Sequence, residues 1–222
     1  MANAIAARNL EIHEVEARFA LHQSTDPAFF PEWQGVKVDL DERDRYWLDK
    51  AKSNFLKLIK YRLHEDAIKL PILAPLLAVS RLGSIPFVPQ AEKCIEIAFP
   101  AQDSESEDEI VRGRIDLLVL YRNLWVVTVE TKPQQADVLE ALPQALTYMM
   151  TSPAQDFPLF GLLTNGRHFM FVKLLRQEPP TYGLSELFTL FRKDNEMHQV
   201  TAILQHLGQL VTKLDWGNQQ AG

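Results

Sequence analysis

The stretch GRIDLLVLYRNLWVVTVETK, residues 113 to 132, limits the fold of this chain more than any other. Runs rich in Leu, Val and Ile flank Arg122 and Asn123, the pattern of neighbouring strands in a buried sheet. Yet Asp116, Glu130 and Lys132 set charges inside that pattern. Side chains alternate along a strand, so Val127 and Val129 point to one face while Glu130 and Lys132 share the other. The place of Asp116 depends on register. A plain two-residue turn at Arg122 and Asn123 sets it opposite Val129, whereas a three-residue loop or a bulge sets it opposite Glu130.

In the second register, two carboxylates face each other with Cβ atoms roughly 5 Å apart, an unfavourable pair unless a cation lies between them. A hard divalent ion such as Mg²⁺ suits such a pair, because it takes oxygen ligands and keeps waters or a substrate phosphate in its remaining positions. Lys132 beside it becomes a fixed charge for an anion or a water. A plainer reading stands next to this one: Glu130 and Lys132 form a surface ion pair at a strand end, and Asp116 caps a turn.

The rest of the chain divides by composition and periodicity. Residues 1 to 40, with STDPAFFPEWQG and its Phe29, Phe30 and Trp33, suggest an irregular N-terminal extension that packs by its aromatics or forms a dimer contact. Residues 41 to 180 hold a core with a preceding helix: Trp47, Ala51, Phe55, Leu58 and Ile59 recur at helical spacing, with Asp41 or Asp44 as cap. A second helical segment, EDAIKLPILAPLLAVSRLG, is expected to kink near Leu70 because of Pro71 and Pro75, and to end at Gly83. Strands are predicted at 93–99, 111–121, 124–131, 158–164 and 168–175, with a helix over 136–151 that restarts at Pro143. Residues 181 to 222 close the chain with a long helix from Met197 to Leu214, capped by Asp194. The acidic segment QDSESEDE is predicted to be a solvated turn.

Composition narrows the ligands. Lys and Arg total 23 against 29 Asp and Glu, a net charge of −6, so any contact with a polyanion needs a local basic patch. Cys94, the only cysteine, sits in the apolar run CIEIAF and is expected to be a buried thiol. The histidines at 13, 22, 64, 168, 198 and 206 show no paired metal-ligand spacing; His64, next to Glu65, is the one nearest other candidate chemistry. No apolar run approaches the roughly 20 residues that span a bilayer, and the first residues lack the apolar core of a signal peptide. A soluble, cytoplasmic chain with no membrane role is expected.

Taken together, the charged hairpin resembles the Asp…Glu-x-Lys element of the PD-(D/E)xK, or restriction-endonuclease-like, nuclease superfamily. PQALTYM, with Gln144 and Tyr148 a helical turn apart, is similar to the Gln-x-x-x-Tyr motif of RecB-like members. FGLLTNGRHFMFV and HEDAIKLPILAPLLAVSRLG look like the Thr-Asn-Gly strand and turn and the first core helix of the nuclease domain in type I restriction enzyme R subunits. The likeness covers about residues 64 to 176. Ile115 stands where the superfamily has proline, a change that removes no metal-binding atom. The chain also has no G-x-x-x-x-G-K-[ST] phosphate loop, so it is not a whole translocating R subunit.

The resemblance implies an α/β fold, a mixed β-sheet core flanked by helices. It implies Mg²⁺, with Mn²⁺ an alternative, held by Asp116, Glu130 and the Thr131 carbonyl. Glu65 would support that shell, Lys132 would orient water or steady phosphate charge, and Gln144 and Tyr148 would line the edge near the DNA backbone. The implied function is a metal-dependent DNA endonuclease without a helicase motor, working with separate restriction-system subunits or as a homodimer. The alternative is a catalytically inactive module with the same fold, used for nucleic-acid binding or complex assembly.

Overall fold

Alternating apolar side chains in the middle of the chain build a mixed sheet, and helical stripes at both ends supply its covers. The computed structural model describes residues 3–61, 63–99, 109–122, 124–153 and 157–220, and side chains at 3, 65, 124 and 215–220 fall outside that description. Within the described residues the sheet has nine strands. Its centre is β4 (Glu109–Tyr121), β5 (Leu124–Thr131), β6 (Leu159–Thr164) and β7 (His168–Leu175), and β3 (Phe87–Phe99) lies antiparallel along the whole of β4. β5 and β6 run parallel, the other central neighbours antiparallel.

Helices cover both faces. α2 (Glu42–Leu58), α4 (Ala74–Val79) and α6 (Met197–Gln220) enclose one core with Phe55, Leu76, Val127, Val129, Phe171 and Leu207. On the other face α1 (Ile12–Phe19) and α5 (Leu142–Met150) pack Val15, Leu146 and Met149 against Ile115, Leu118 and Leu163. The N-cap of α2 is Asp41, whose carboxylate accepts from Asp44 N–H at 2.7 Å. Its buried seam is Leu48, Ala51 and Phe55, and Trp47 is left 53% exposed against Tyr46. Pro143 opens α5 after a 3₁₀ turn, as the sequence suggested.

Several expectations are corrected. Residues 3–40 are not an irregular arm: β1 (Asn3–Ala6) pairs parallel with β4, and β2 (His22–Gln23) pairs parallel with β8 (Thr181–Leu184). Phe30 is buried and stacks on Phe160 at 6.0 Å, and Trp33 meets the edge of Phe188, so these aromatics face inward. A further short strand, β9 (Phe188–Thr189), lies where the sequence showed only LSELFTLF. Cys94 is exposed, because β3 is an outer strand on which Cys94, Glu96 and Ala98 all face solvent. The left-handed residue after α4 is Arg81, with φ 67°, and not Gly83. Asn195 caps α6 in place of Asp194, its side chain accepting from Met197 N–H at 3.1 Å. The acidic segment, apart from Glu109, lies outside the described residues.

Candidate active site

The sheet parts at one place. β1 runs parallel to β4 and stops at the Ala6–Arg112 pair, while β5 runs antiparallel to β4 from the opposite end and pairs as far as Leu117 with Val129. Both strands lie on the same flank of β4, so they approach each other head-on and leave β4 uncovered between them. A cavity of about 420 Å³ opens over this gap, lined by Arg8, Gly113, Arg114, Asp116, Lys132 and Tyr148 among others. A break of this kind leaves backbone donors without a ladder partner and is a natural place for a ligand.

Register puts the carboxylates together by the bulge the sequence left open. Tyr121 pairs with Leu124, so two residues connect the strands, but the register shifts between Val119, which faces Val127, and Leu120, which faces Trp125. Val126 is the extra residue. Past it Leu117 faces Val129, and the same register one step further sets Asp116 opposite Glu130. Thr131 then fixes Asp116, its backbone N–H donating to Oδ2 at 2.8 Å and its hydroxyl at 2.5 Å.

Glu130 departs from what alternation suggested. It does not sit on an open rim but is fully buried, at 0% exposure. Asp116 N–H donates weakly to its Oε1 at 3.4 Å, and Oε2 has no hydrogen-bond partner among the described residues. Burial drives this carboxyl well above the usual carboxylate range, and the neighbouring Asp116 adds to the effect. A buried acid with an orphaned oxygen has either to hold a proton or to meet a cation.

A hydrogen-bonded chain leads away from the acids. Lys132 Nζ donates to Gln144 Oε1 at 3.0 Å, and Gln144 Nε2 donates to the Tyr148 hydroxyl at 3.0 Å. That hydroxyl also accepts from Arg114 N–H at 2.8 Å, a donor exposed by the gap between β1 and β5. Burial raises the Tyr148 phenol above its ordinary value, with Glu130 contributing, so it stays protonated. Gly113 makes this possible, since a Cβ there would lie 2.6 Å from the Tyr148 ring.

Glu65 begins α3 (Glu65–Ile68), and its side chain is outside the described residues. Asp116, Glu130, Thr131, Lys132, Gln144 and Tyr148 thus converge as a connected group. Sequence reasoning missed Lys69, whose ammonium lies 3.1 Å from Asp116 Oδ1. Burial opposes its charge, but Asp66 and Asp116 together outweigh burial and raise its pKa above the ordinary lysine value. It also missed Glu92 of β3, which lies between the partners of Ile115 and Leu117 with a left-handed φ of 57°, and Arg114, whose guanidinium binds Glu92 at 3.0 Å. A positive φ at a non-glycine within a strand has no sequence signature.

The Thr-Asn-Gly turn supports the site from behind. Asn165 Nδ2 donates to Ala136 O at 2.8 Å, holding the loop after Lys132. Gly166, with φ 80°, packs against Phe55 and Ile68 of α2 and α3. Gln134 ties the same loop to the segment before α3 by bonding Leu63 N–H and Ile59 O.

As to metal, two carboxylates, an orphaned buried oxygen and an open cavity are donors of the type a hard divalent cation takes. Among the described residues no group of three His, Cys, Asp or Glu side chains is arranged to hold an ion. Any cation here would therefore complete its shell with backbone carbonyl, water or substrate oxygens. Asp116, Glu130 and Thr131 fit on those terms.

Comparison with known proteins adds little. No family model and no curated protein matches the chain. Among solved structures it is similar to a fragment assigned as the HsdR subunit of a type I restriction enzyme from Vibrio vulnificus YJ016, at 19% identity and a TM-score of 0.38. The match covers 65% of this chain and 26% of that one, so the matched part spans about a quarter of that fragment. No helix among the described residues is long and apolar enough to cross a membrane.

Proposed function

We propose that the chain is a metal-dependent nuclease domain that hydrolyses phosphodiester bonds in DNA. The observation that carries this reading is Glu130: a fully buried acid with one unpartnered oxygen, register partner of Asp116, beside a lysine at the edge of an open cavity. Asp116, Glu130 and the Thr131 carbonyl would hold Mg²⁺ or Mn²⁺. Such an ion, when bound, lowers the pKa of a water and offsets charge on the phosphate.

The chain's own residues divide the remaining tasks. Thr131 keeps the Asp116 carboxylate in one orientation through its N–H and hydroxyl. Gln144 holds the Lys132 ammonium, itself positioned by a Tyr148 hydroxyl that is pinned to β4, so a fixed positive charge faces the cavity before substrate arrives. Arg8, Arg112 and Arg114 line the cavity wall, with Arg112 paired to Glu96 and Arg114 to Glu92, so a polyanion would meet Arg8 directly and the other two by displacing those carboxylates. Separate restriction-system subunits or a second copy would supply sequence recognition.

Nicking of supercoiled DNA in Mg²⁺ or Mn²⁺ tests the reading. Asp116→Ala and Lys132→Ala should each lower the rate by about two orders of magnitude or more. Cleavage unchanged in both variants would sink it.

A further inference from the structure

The helical segment opened by Glu65 loses its regular winding beside the carboxylates. Pro71 has no N–H to give to a preceding turn, and Lys69–Leu73 winds as a π turn before α4 resumes the α-helix. Lys69, the first residue of that turn, reaches the sheet. Its ammonium lies 2.9 Å from Asp66 Oδ1 and 3.1 Å from Asp116 Oδ1, with Glu92 Oε1 at 4.0 Å.

The contact engages a particular atom. Asp116 Oδ2 already accepts two hydrogen bonds from Thr131, so Oδ1 is the oxygen left for a cation, and Lys69 is on it. Across the strand pair, Glu130 Oε2 has no hydrogen-bond partner among the described residues. One acid of the pair is neutralised by an ammonium and the other waits for a partner. Lys132, the second ammonium nearby, is bonded to Gln144 and not to Asp116.

We propose that Lys69 is the resident counter-ion of this site: it holds Asp116 Oδ1 until a divalent cation takes that oxygen, so the two compete for one carboxylate. This inference rests on the metal-dependent reading above. Asp66, at 77% side-chain exposure, keeps the displaced ammonium at the mouth of the site, where a phosphate would meet it.

Calorimetric titration of Mn²⁺ into the full chain tests the competition, with folding of each variant checked by circular dichroism. Lys69→Met and Lys69→Gln should bind Mn²⁺ roughly three- to tenfold more tightly than the wild type, while Lys69→Arg should bind as the wild type does. Lys132→Met, which removes an equal charge without an Asp116 contact, should change affinity less than about twofold. A wild type that binds Mn²⁺ while Lys69→Met binds no tighter overturns the competition alone, as does equal tightening by Lys132→Met or tightening by Lys69→Arg. Absence of binding in every variant removes the metal-dependent reading along with it.

Discussion

Asp116 stands across from Glu130 because Val126, one residue of β5, has no counterpart on β4. Without that bulge, the two-residue connection at 122 and 123 would set Asp116 against Val129 and leave the acids on opposite faces. A bulge next to a chemical site is a common way to aim side chains. Here it combines with the parting of β1 and β5 on the same flank of β4, so the place where carboxylates meet is also where backbone donors lose their ladder partners.

The buried state of Glu130 gives a pH dependence with a definite sign. Its folded-state pKa is raised above the ordinary value of 4.5, so between that value and the folded pKa the folded chain binds the proton and the unfolded chain does not. In this window stability falls as pH rises, by about 1.4 kcal/mol per pH unit for one proton. Glu130→Gln should abolish that slope and raise metal-free stability at neutral pH by about 1–3 kcal/mol. Urea unfolding from pH 4 upward, with and without Mn²⁺, measures both, and a steeper fall in the variant would contradict the assignment.

Gly113→Ala should separate the Lys132 chain from the acids. The added Cβ would lie 2.6 Å from the Tyr148 ring, so the phenol must move off Arg114 N–H and loosen its hold on Gln144. Overpacking of this kind costs about 1–3 kcal/mol. DNA cleavage should fall while Mn²⁺ affinity, measured by calorimetry, stays within about twofold of the wild type. Metal affinity lost together with cleavage would show that Tyr148 supports the carboxylates directly.

Some of this was legible in residues and some was not. The β4–β5 hairpin, β6, β7 and the Pro143 restart follow from apolar, β-branched runs and proline chemistry, whereas Gln144 and Tyr148 follow from the resemblance to a Gln-x-x-x-Tyr motif. β1, β2, β8 and β9 are too short to show a period of their own; β1 forms on a flank of β4, β8 and β9 on β7, and β2 in turn on β8. Lys69 was invisible for a similar reason. Pro71 signals a break, but only the packed helix decides that the break is a π turn and that Lys69 rather than a neighbour meets Asp116.

Gly166 links the turn behind the site to the helix beside it. At φ 80° any other L-residue is strained, and a Cβ would come within 2.7 Å of Phe55 and 2.8 Å of Ile68. Gly166→Ala should therefore cost about 2–4 kcal/mol from backbone strain and overpacking together. Guanidinium unfolding should register the full loss, and hydrogen exchange should show Ile68 to Leu73 opening earlier than β4. A loss below about 0.5 kcal/mol would mean that the turn and α3 adjust independently.

The N-terminal segment is held to the sheet by a buried charge. Lys173, with a side chain only 9% exposed, donates to Glu32 Oε1 at 2.5 Å and to Phe29 O at 2.9 Å, and lies 5.3 Å from the Phe29 ring centroid. Glu32 Oε2 has no hydrogen-bond partner among the described residues, so the pair is not fully satisfied. Lys173→Met leaves Glu32 as an uncompensated, mostly buried charge and should cost about 3–5 kcal/mol. Adding Glu32→Met removes that charge and should return most of the loss, because two apolar side chains of similar length fill the same space. Urea unfolding of both variants decides it: a double variant as unstable as Lys173→Met would mean that the bond to Phe29 O, and not the ion pair, anchors the segment that carries β1 and Arg8 to the site.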